Sequence, residues 1–367
     1  MSLTVCISPR SCIGYPAGGG YLWIFLNWAL GLQSIGCRVI WLEEIWPSMG
    51  VTEARALTTA LLDNLRPYGL ANSVALYAPG GEDVPTAIAE GCLDLAAASE
   101  ADLLLNFRYS LPRQVLERFS RSALVDIDPG LLQIWIATGL VDVARHDTYL
   151  SIGERVCEQG RTWHHVPPCV SLDWWPAHPT THQAAFTTVG HWYAGAWVGS
   201  DEAADDKRSG FLPYLDLPRR TPRPLEMALD LKAEDPETSK LEALGWRVRD
   251  ARKVAGTPWD YQRYVQGSAG EFSCAKPAYQ RLGNAWLSDR TVCYLASGRP
   301  AVVEHTGPSA FLPDESGLFR FRNSEHAAAC LERVADDYDH QSALARAIAE
   351  EFFDARRVTA RALALAI

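Results

Sequence analysis

The 367-residue sequence has no apolar run near the length needed to cross a bilayer. Its first residues, MSLTVCIS, have neither the basic start nor the apolar core of a signal peptide. These two absences predict a cytoplasmic protein with no transmembrane segment. There is no C-x-x-C pair either. The nine cysteines (Cys6, Cys12, Cys37, Cys92, Cys157, Cys169, Cys274, Cys293, Cys330) are scattered and odd in number, which argues against a disulfide framework or a zinc knuckle. An excess of positive charge is also missing: 34 Lys and Arg stand against 44 Asp and Glu, a formal charge of −10. A nucleic-acid surface needs clustered cations, so no nucleic-acid partner is expected, although one phosphorylated ligand needs only a local basic pocket. The glycine-rich stretch at 14–20, G-Y-P-A-G-G-G, lacks the G-x-G-x-x-G dinucleotide fingerprint.

What is present is the composition of a globular protein, 48% apolar and 21% charged. The length exceeds what one core usually serves, so two domains and a cleft between them are expected. Residues 3–8 read as a buried strand, 21–35 as a helix closed by Gly36, and 37–42 as a second strand, together a βαβ unit. Strands at 74–77, 102–107 and 122–127 alternate with helices at 52–65 and 84–99. A Pro- and Trp-rich stretch, "DWWPAHPTTHQ" at 173–183, fits a linker. A second α/β series follows, with strands near 185–189, 225–231, 247–249, 270–275, 300–304 and 317–321. The fold class is therefore α/β. The expected division is 1–173 as an N-terminal α/β domain, 174–345 as a C-terminal α/β domain, and 346–367 as a helix packing back toward the first.

The stretch 270–307, "GEFSCAKPAYQRLGNAWLSDRTVCYLASGRPAVVEHTG", carries the strongest signal. Ser288 stands where an N-cap belongs and Asp289 in the first turn. Open N–H groups there, with the cations Lys276 and Arg290, suit a diphosphate. Thr306 and Gly307 fall at a strand's carboxyl end, where ligands bind in open α/β sheets. Gly190 and His191, in "TTVGHW", follow the first strand of the second series; Gly190 would allow close backbone approach to a phosphate or sugar, and His191 reads either as a donor to a phosphate or as an exposed loop histidine. Lys207 and Arg208 read either as a second phosphate clamp or as a solvated "DDKR" run. In the first half, the loop containing Gly18, Gly19 and Gly20 either lets a helix pack closely or turns backbone N–H groups toward a ligand, with Arg10 and Tyr15 at the same mouth.

"CYLASGRPAVVEHTG", followed by "GLFRF" and "NSEHAAACLERV", resembles the donor half of GT-B glycosyltransferases. The motifs "YPAGGGYLWIFLNWALGL", "DIDPG", "HDTYLSIGE", "FTTVGHW", "GEFSCAK" and "WLSDRTVCYLASGRP" extend the likeness, over most of the chain, to a glycosyltransferase-like group. The resemblance implies two facing Rossmann-like domains. It implies a nucleoside diphosphate sugar as co-substrate, held by the C-terminal domain, with no other cofactor and no obligatory metal. The acceptor, a small molecule, a lipid-linked molecule or a glycan, would lie against the N-terminal domain. Many such enzymes hold the ribose with a Glu five residues before the helix-ending glycine; here Cys293 occupies that place, leaving Glu271 or Asp289 for the ribose.

Displacing a nucleoside diphosphate requires stabilised phosphates and, with inversion, a base for the acceptor hydroxyl. Asp126, Asp128 and His146 are the candidates for that base. "DID" ends a strand far from the nucleotide motif, and the pairs His164/His165 and His178/His182 lack acidic or cysteine partners at metal spacing, so no metal is expected. The alternatives to a transferase are a nucleotide-sugar epimerase and a non-catalytic sugar-nucleotide-binding protein.

Overall fold

The structure, a computed structural model, describes residues 3–143, 145–157, 160–179, 183–193, 206–232 and 234–367. His182 lies outside the described residues. The chain divides into two compact units, 1–171 with 355–367, and 172–354.

The first unit is built on seven parallel strands: β1 (Thr4–Ser8), β2 (Arg38–Glu44), β3 (Val74–Tyr77), β4 (Leu103–Asn106), β5 (Ser122–Asp126), β6 (Thr148–Ser151) and β7 (Trp163–His165). Their spatial order is β3-β2-β1-β4-β5-β6-β7. Continuous apolar runs such as "VCI" and "LLL" are what a parallel sheet covered on both faces requires. Cys6, Ile40, Leu42, Leu104 and Val115 form one of its core clusters. Gly36 takes φ +88° after the Gly19–Ser34 helix, and Cys37 N–H donates to Leu32 O at 3.0 Å, closing the helix before β2 starts.

The second unit repeats the plan with β8 (Phe186–His191), β9 (Leu225–Asp230), β10 (Arg247–Asp250), β11 (Gly270–Ser273), β12 (Ala301–Glu304) and β13 (Leu318–Phe321). The order is β10-β9-β8-β11-β12-β13, again all parallel. Phe186, Phe211, Met227, Trp246, Phe272 and Phe321 lie in its core. In both sheets the winding reverses beside the first strand, between β1 and β4 and between β8 and β11. The crevice at the carboxyl ends of such a reversal is where open α/β sheets take ligands.

Two differences from the sequence reading stand out. β6 and β7 were not expected as strands, because "TYLS" and "WHH" are short and mixed in polarity. Residues 346–367 are not one helix: Tyr338–Phe352 belongs to the second unit, where Arg346 donates to Trp175 O and Ala296 O. Only Ala355–Ala366 lies in the first unit. There Gly31 of the Gly19–Ser34 helix lets the backbone of Ala355 approach so closely that a Cβ at 31 would stand 2.7 Å from its carbonyl oxygen.

Candidate functional site

At the carboxyl edge of the first sheet, Glu43 is buried at the end of β2 and accepts at Oε1 from Cys12 N–H and Trp41 Nε1–H, both at 3.0 Å. It thereby pins the loop that follows β1. Burial pushes Glu43 up to about 7. Tyr15 lies against Gly18, where a Cβ would fall 2.1 Å from the ring; its ring also meets Tyr21 edge-on. The Tyr21 hydroxyl donates to Arg10 O, and the Arg10 guanidinium stands 3.8 Å from Asp128. Gly18 is the N-cap and Gly19 and Gly20 the first helical residues, with no side-chain cap and no acid in the first turn.

The two carboxylates of "DIDPG" are brought to one place with different surroundings. Asp126 is fully buried. Its Oδ1 accepts from Asp128 N–H at 3.0 Å, and its Oδ2 from Gln133 Nε2 and Ser151 Oγ, each at 3.0 Å. Burial raises it to about 7. The Tyr109 hydroxyl accepts from Ile127 and Asp128 N–H, and lies 3.3 Å from Asp126 and 3.4 Å from Asp128, with one proton to give. Asp128 is the partly exposed member, at 21%. Thus Asp126 builds the turn and Asp128 faces outward.

His146 is corrected by the structure. The Asn106 amide is oriented by Arg108, whose N–H donates to Oδ1 and whose carbonyl accepts from Nδ2. Nδ2 therefore also donates to His146 Nε2 at 3.0 Å. The remaining ring N–H points at Val143 O, 3.2 Å away. Burial lowers this ring's basicity, and its lone pair is engaged by the Asn106 amide, so the ring is held within the packing of the first unit.

At the carboxyl edge of the second sheet, Arg290 is the hub. Its Nε donates to Glu271 at 2.7 Å, Nη1 to Val189 O at 2.9 Å and Nη2 to Ser273 Oγ at 2.9 Å, joining β8, β11 and the Asp289–Ala296 helix. Glu271, expected at the ribose, is wholly buried and committed to Arg290, so that expectation is corrected. Cys293 is buried, its thiol donating to Asp289 O; Asp289 is partly exposed. Ser288 caps its helix, Oγ accepting from Arg290 N–H at 3.2 Å. Thr306 is corrected too: its buried hydroxyl donates to Trp286 O at 2.6 Å, and its carbonyl accepts from Ala285 N–H at 3.0 Å. Gly307, at φ +124°, packs where a Cβ would lie 2.4 Å from Gly283 O. Thr306 and Gly307 hold the 283–286 loop, in which Ala285 takes φ +57°.

Lys276 is partly exposed at the N-cap of the Pro277–Leu282 helix. In front of Gly190 there is open space. His191, 59% exposed, is 3.4 Å from Asp230, which also pairs with Arg252. The structure separates Lys207 from Arg208. Arg208 turns to Glu237 at 2.7 Å, whereas Lys207 reaches the end of β11 and donates to Cys274 O at 2.5 Å. Burial first, then the charge of Arg290, pushes Lys207 down to about 7. A lysine beside a charged run carries no local signal of this; Gly210, three residues on, was the available one. Among the described residues no group of three or more His, Cys, Asp or Glu side chains could hold a metal, and no helix is long and apolar enough to cross a membrane.

Two parallel α/β units with the same strand order are the fold of the GT-B glycosyltransferases. Solved structures of such enzymes match the whole chain. An alpha-glucosyltransferase in complex with UDP and a 13-mer DNA aligns with TM-score 0.59 at 11% identity, over 99% of this chain and 98% of that one. HepE of Anabaena, in complex with UDP and glucose, aligns with TM-score 0.56 at 13% identity over 99% and 98%. AviGT4, a glycosyltransferase involved in avilamycin A biosynthesis, aligns with TM-score 0.53 at 13% identity over 99% and 96%. No family model matches the sequence, and no curated protein matches it.

Proposed function

We propose that the protein is a glycosyltransferase that moves a sugar from a nucleoside diphosphate sugar to an acceptor hydroxyl without a metal ion. The observation that carries this reading is the convergence of Lys207, Lys276 and Arg290 at the carboxyl edge of the second sheet, beside its point of reversal. Cations fixed there stabilise charge as it develops on a leaving diphosphate. Lys207 and Lys276 contact the phosphates, Arg290 holds their cradle through Glu271, and the open space before Gly190, with His191 at its rim, admits the pyrophosphate. Asp289 is the remaining carboxylate for the ribose.

On the first unit, Asp128 receives the acceptor hydroxyl proton, with Arg10, Tyr15 and the Gly18–Gly20 turn forming the acceptor's surroundings. The formal charge of −10 favours a small-molecule, lipid-linked or glycan acceptor over a nucleic acid, although one structural neighbour is bound to DNA. Nine free cysteines fit the reducing cytoplasm.

The test is release of nucleoside diphosphate from a panel of nucleotide sugars in the presence of a metal chelator. Slow, chelator-resistant hydrolysis that one acceptor class accelerates is the expected result. An epimerised sugar would make the protein an epimerase, and binding without any turnover would make it a binding protein.

A further inference from the structure

The Lys207–Phe211 helix rests directly on the end of β11 because Gly210 has no side chain: a Cβ there would lie 2.0 Å from Ala275 O. That approach sets the Lys207 Nζ on the Cys274 carbonyl and 5.6 Å from the centroid of the buried Phe211 ring. Among the described residues it has one neutral acceptor and no ion-pair partner. Arg290, from the Asp289–Ala296 helix, and Lys276, after β11, both repel it. Glu271 of β11 attracts it but is already paired with Arg290, and Glu304 of β12 is engaged by Tyr214 and by Ala275 N–H. The Cys274 thiol is kept neutral by burial, and Asp206, on the lysine's own element, caps the helix through Ser209 N–H. An ammonium half withdrawn from water in this setting, with cations on two sides, is disfavoured until an anion joins it.

We propose that Lys207 takes up a proton from solvent when a diphosphate-bearing ligand binds, so that the ligand's affinity falls as pH rises above neutrality. The inference rests on the reading of this edge as the donor site. The proton moves from buffer to Nζ, and the new ammonium pairs with phosphate oxygens that are themselves already ionised, since phosphate monoesters titrate near pH 6. Linkage then requires the dissociation constant to rise with pH, by as much as about tenfold per pH unit, wherever the bound form carries one more proton than the free form.

The experiment is calorimetric titration of the full chain with UDP, ADP, GDP and dTDP at pH 7.5, 8.5 and 9.5, in two buffers of different ionisation enthalpy. For the nucleotide that binds, we expect uptake approaching one proton at pH 8.5 and a dissociation constant that rises steeply from step to step. Lys207→Arg, charged throughout, should bind with neither uptake nor pH dependence. Lys207→Met should bind weakly at every pH. Binding with no proton uptake, or uptake that persists in both variants, overturns the inference while leaving the donor site standing. No binding by any of the four nucleotides overturns the donor-site reading itself, and the inference with it.

Discussion

At the carboxyl edge of the first sheet two buried acids, Glu43 and Asp126, each accept from a backbone N–H in the loop above. At the same edge of the second sheet a lysine, Lys207, is set on a backbone carbonyl. The scaffolds share strand order, so topology did not choose the charge. In both places burial drives the group toward neutrality, the acids up to about 7 and the lysine down to about 7. Each group answers the backbone atom it meets: loop N–H donors are met by a carboxylate, as Ala275 is by Glu304 at the second edge too, whereas the Cys274 carbonyl is met by an amine that the first edge lacks an equivalent of among the groups described above.

The largest effect expected is that of Arg290→Ala. The sequence alone suggests lower nucleotide affinity with the fold intact. The structure predicts instead a loss of about 3–5 kcal/mol in the unfolding free energy of the second unit, because Glu271 is left buried and unpaired. Denaturant unfolding checks it, and Glu271→Gln on the same background should recover part of the loss. Next, Asp128→Asn should slow nucleoside diphosphate release by roughly 10²–10⁴-fold, with nucleotide affinity unchanged. Its Arg10 pair is partly exposed, so stability should change by about 1 kcal/mol or less. If nucleotide affinity falls with the rate, Asp128 is not confined to the acceptor side.

Gly31→Ala gains helix propensity but drives a methyl into the Ala355 carbonyl, and should destabilise the first unit by about 1–3 kcal/mol in thermal or denaturant unfolding.

The smallest effect per step is the pH slope, and it has opposite sign in the two units. Folded Glu43 and Asp126 bind protons more tightly than in the unfolded chain. Between about pH 4 and 7 the native state therefore holds more protons, and the first unit loses stability as pH rises, by at most about 1.4 kcal/mol per pH unit for each group. Folded Lys207 binds its proton less tightly than when unfolded, so from about pH 7 to 10 the second unit gains stability as pH rises. Unfolding curves across pH for wild type, Asp126→Asn and Lys207→Met check both signs; parallel slopes in the two units would break the contrast between the edges.

Much of the fold was legible in local pattern. The apolar runs of β1, β4 and β12, Gly36 after the first helix and the Ser288 cap all depend on neighbours within a few residues. The same holds for the "DID" turn as a pair of carboxylates. β6 and β7 were not legible, since "TYLS" and "WHH" become strands by pairing with β5 and with each other, and residue type alone does not show it. Nor was the difference between Asp126 and Asp128, which depends on Ser151, 25 residues away from Asp126.

The sequence by itself determined the alternation of strands and helices, the caps and the residue types gathered near strand ends, because hydrophobic period and backbone capping act over one or two turns of chain. Only the tertiary structure decided which of those residues face outward. Glu271 is consumed by Arg290, Thr306 by Trp286 and His146 by Asn106, while Lys207 is carried onto β11 by Gly210. The physical reason is that desolvation and hydrogen-bond satisfaction are properties of what surrounds a group in space. Here the partners of His146, Arg290, Thr306 and Lys207 lie 40, 19, 20 and 67 residues away.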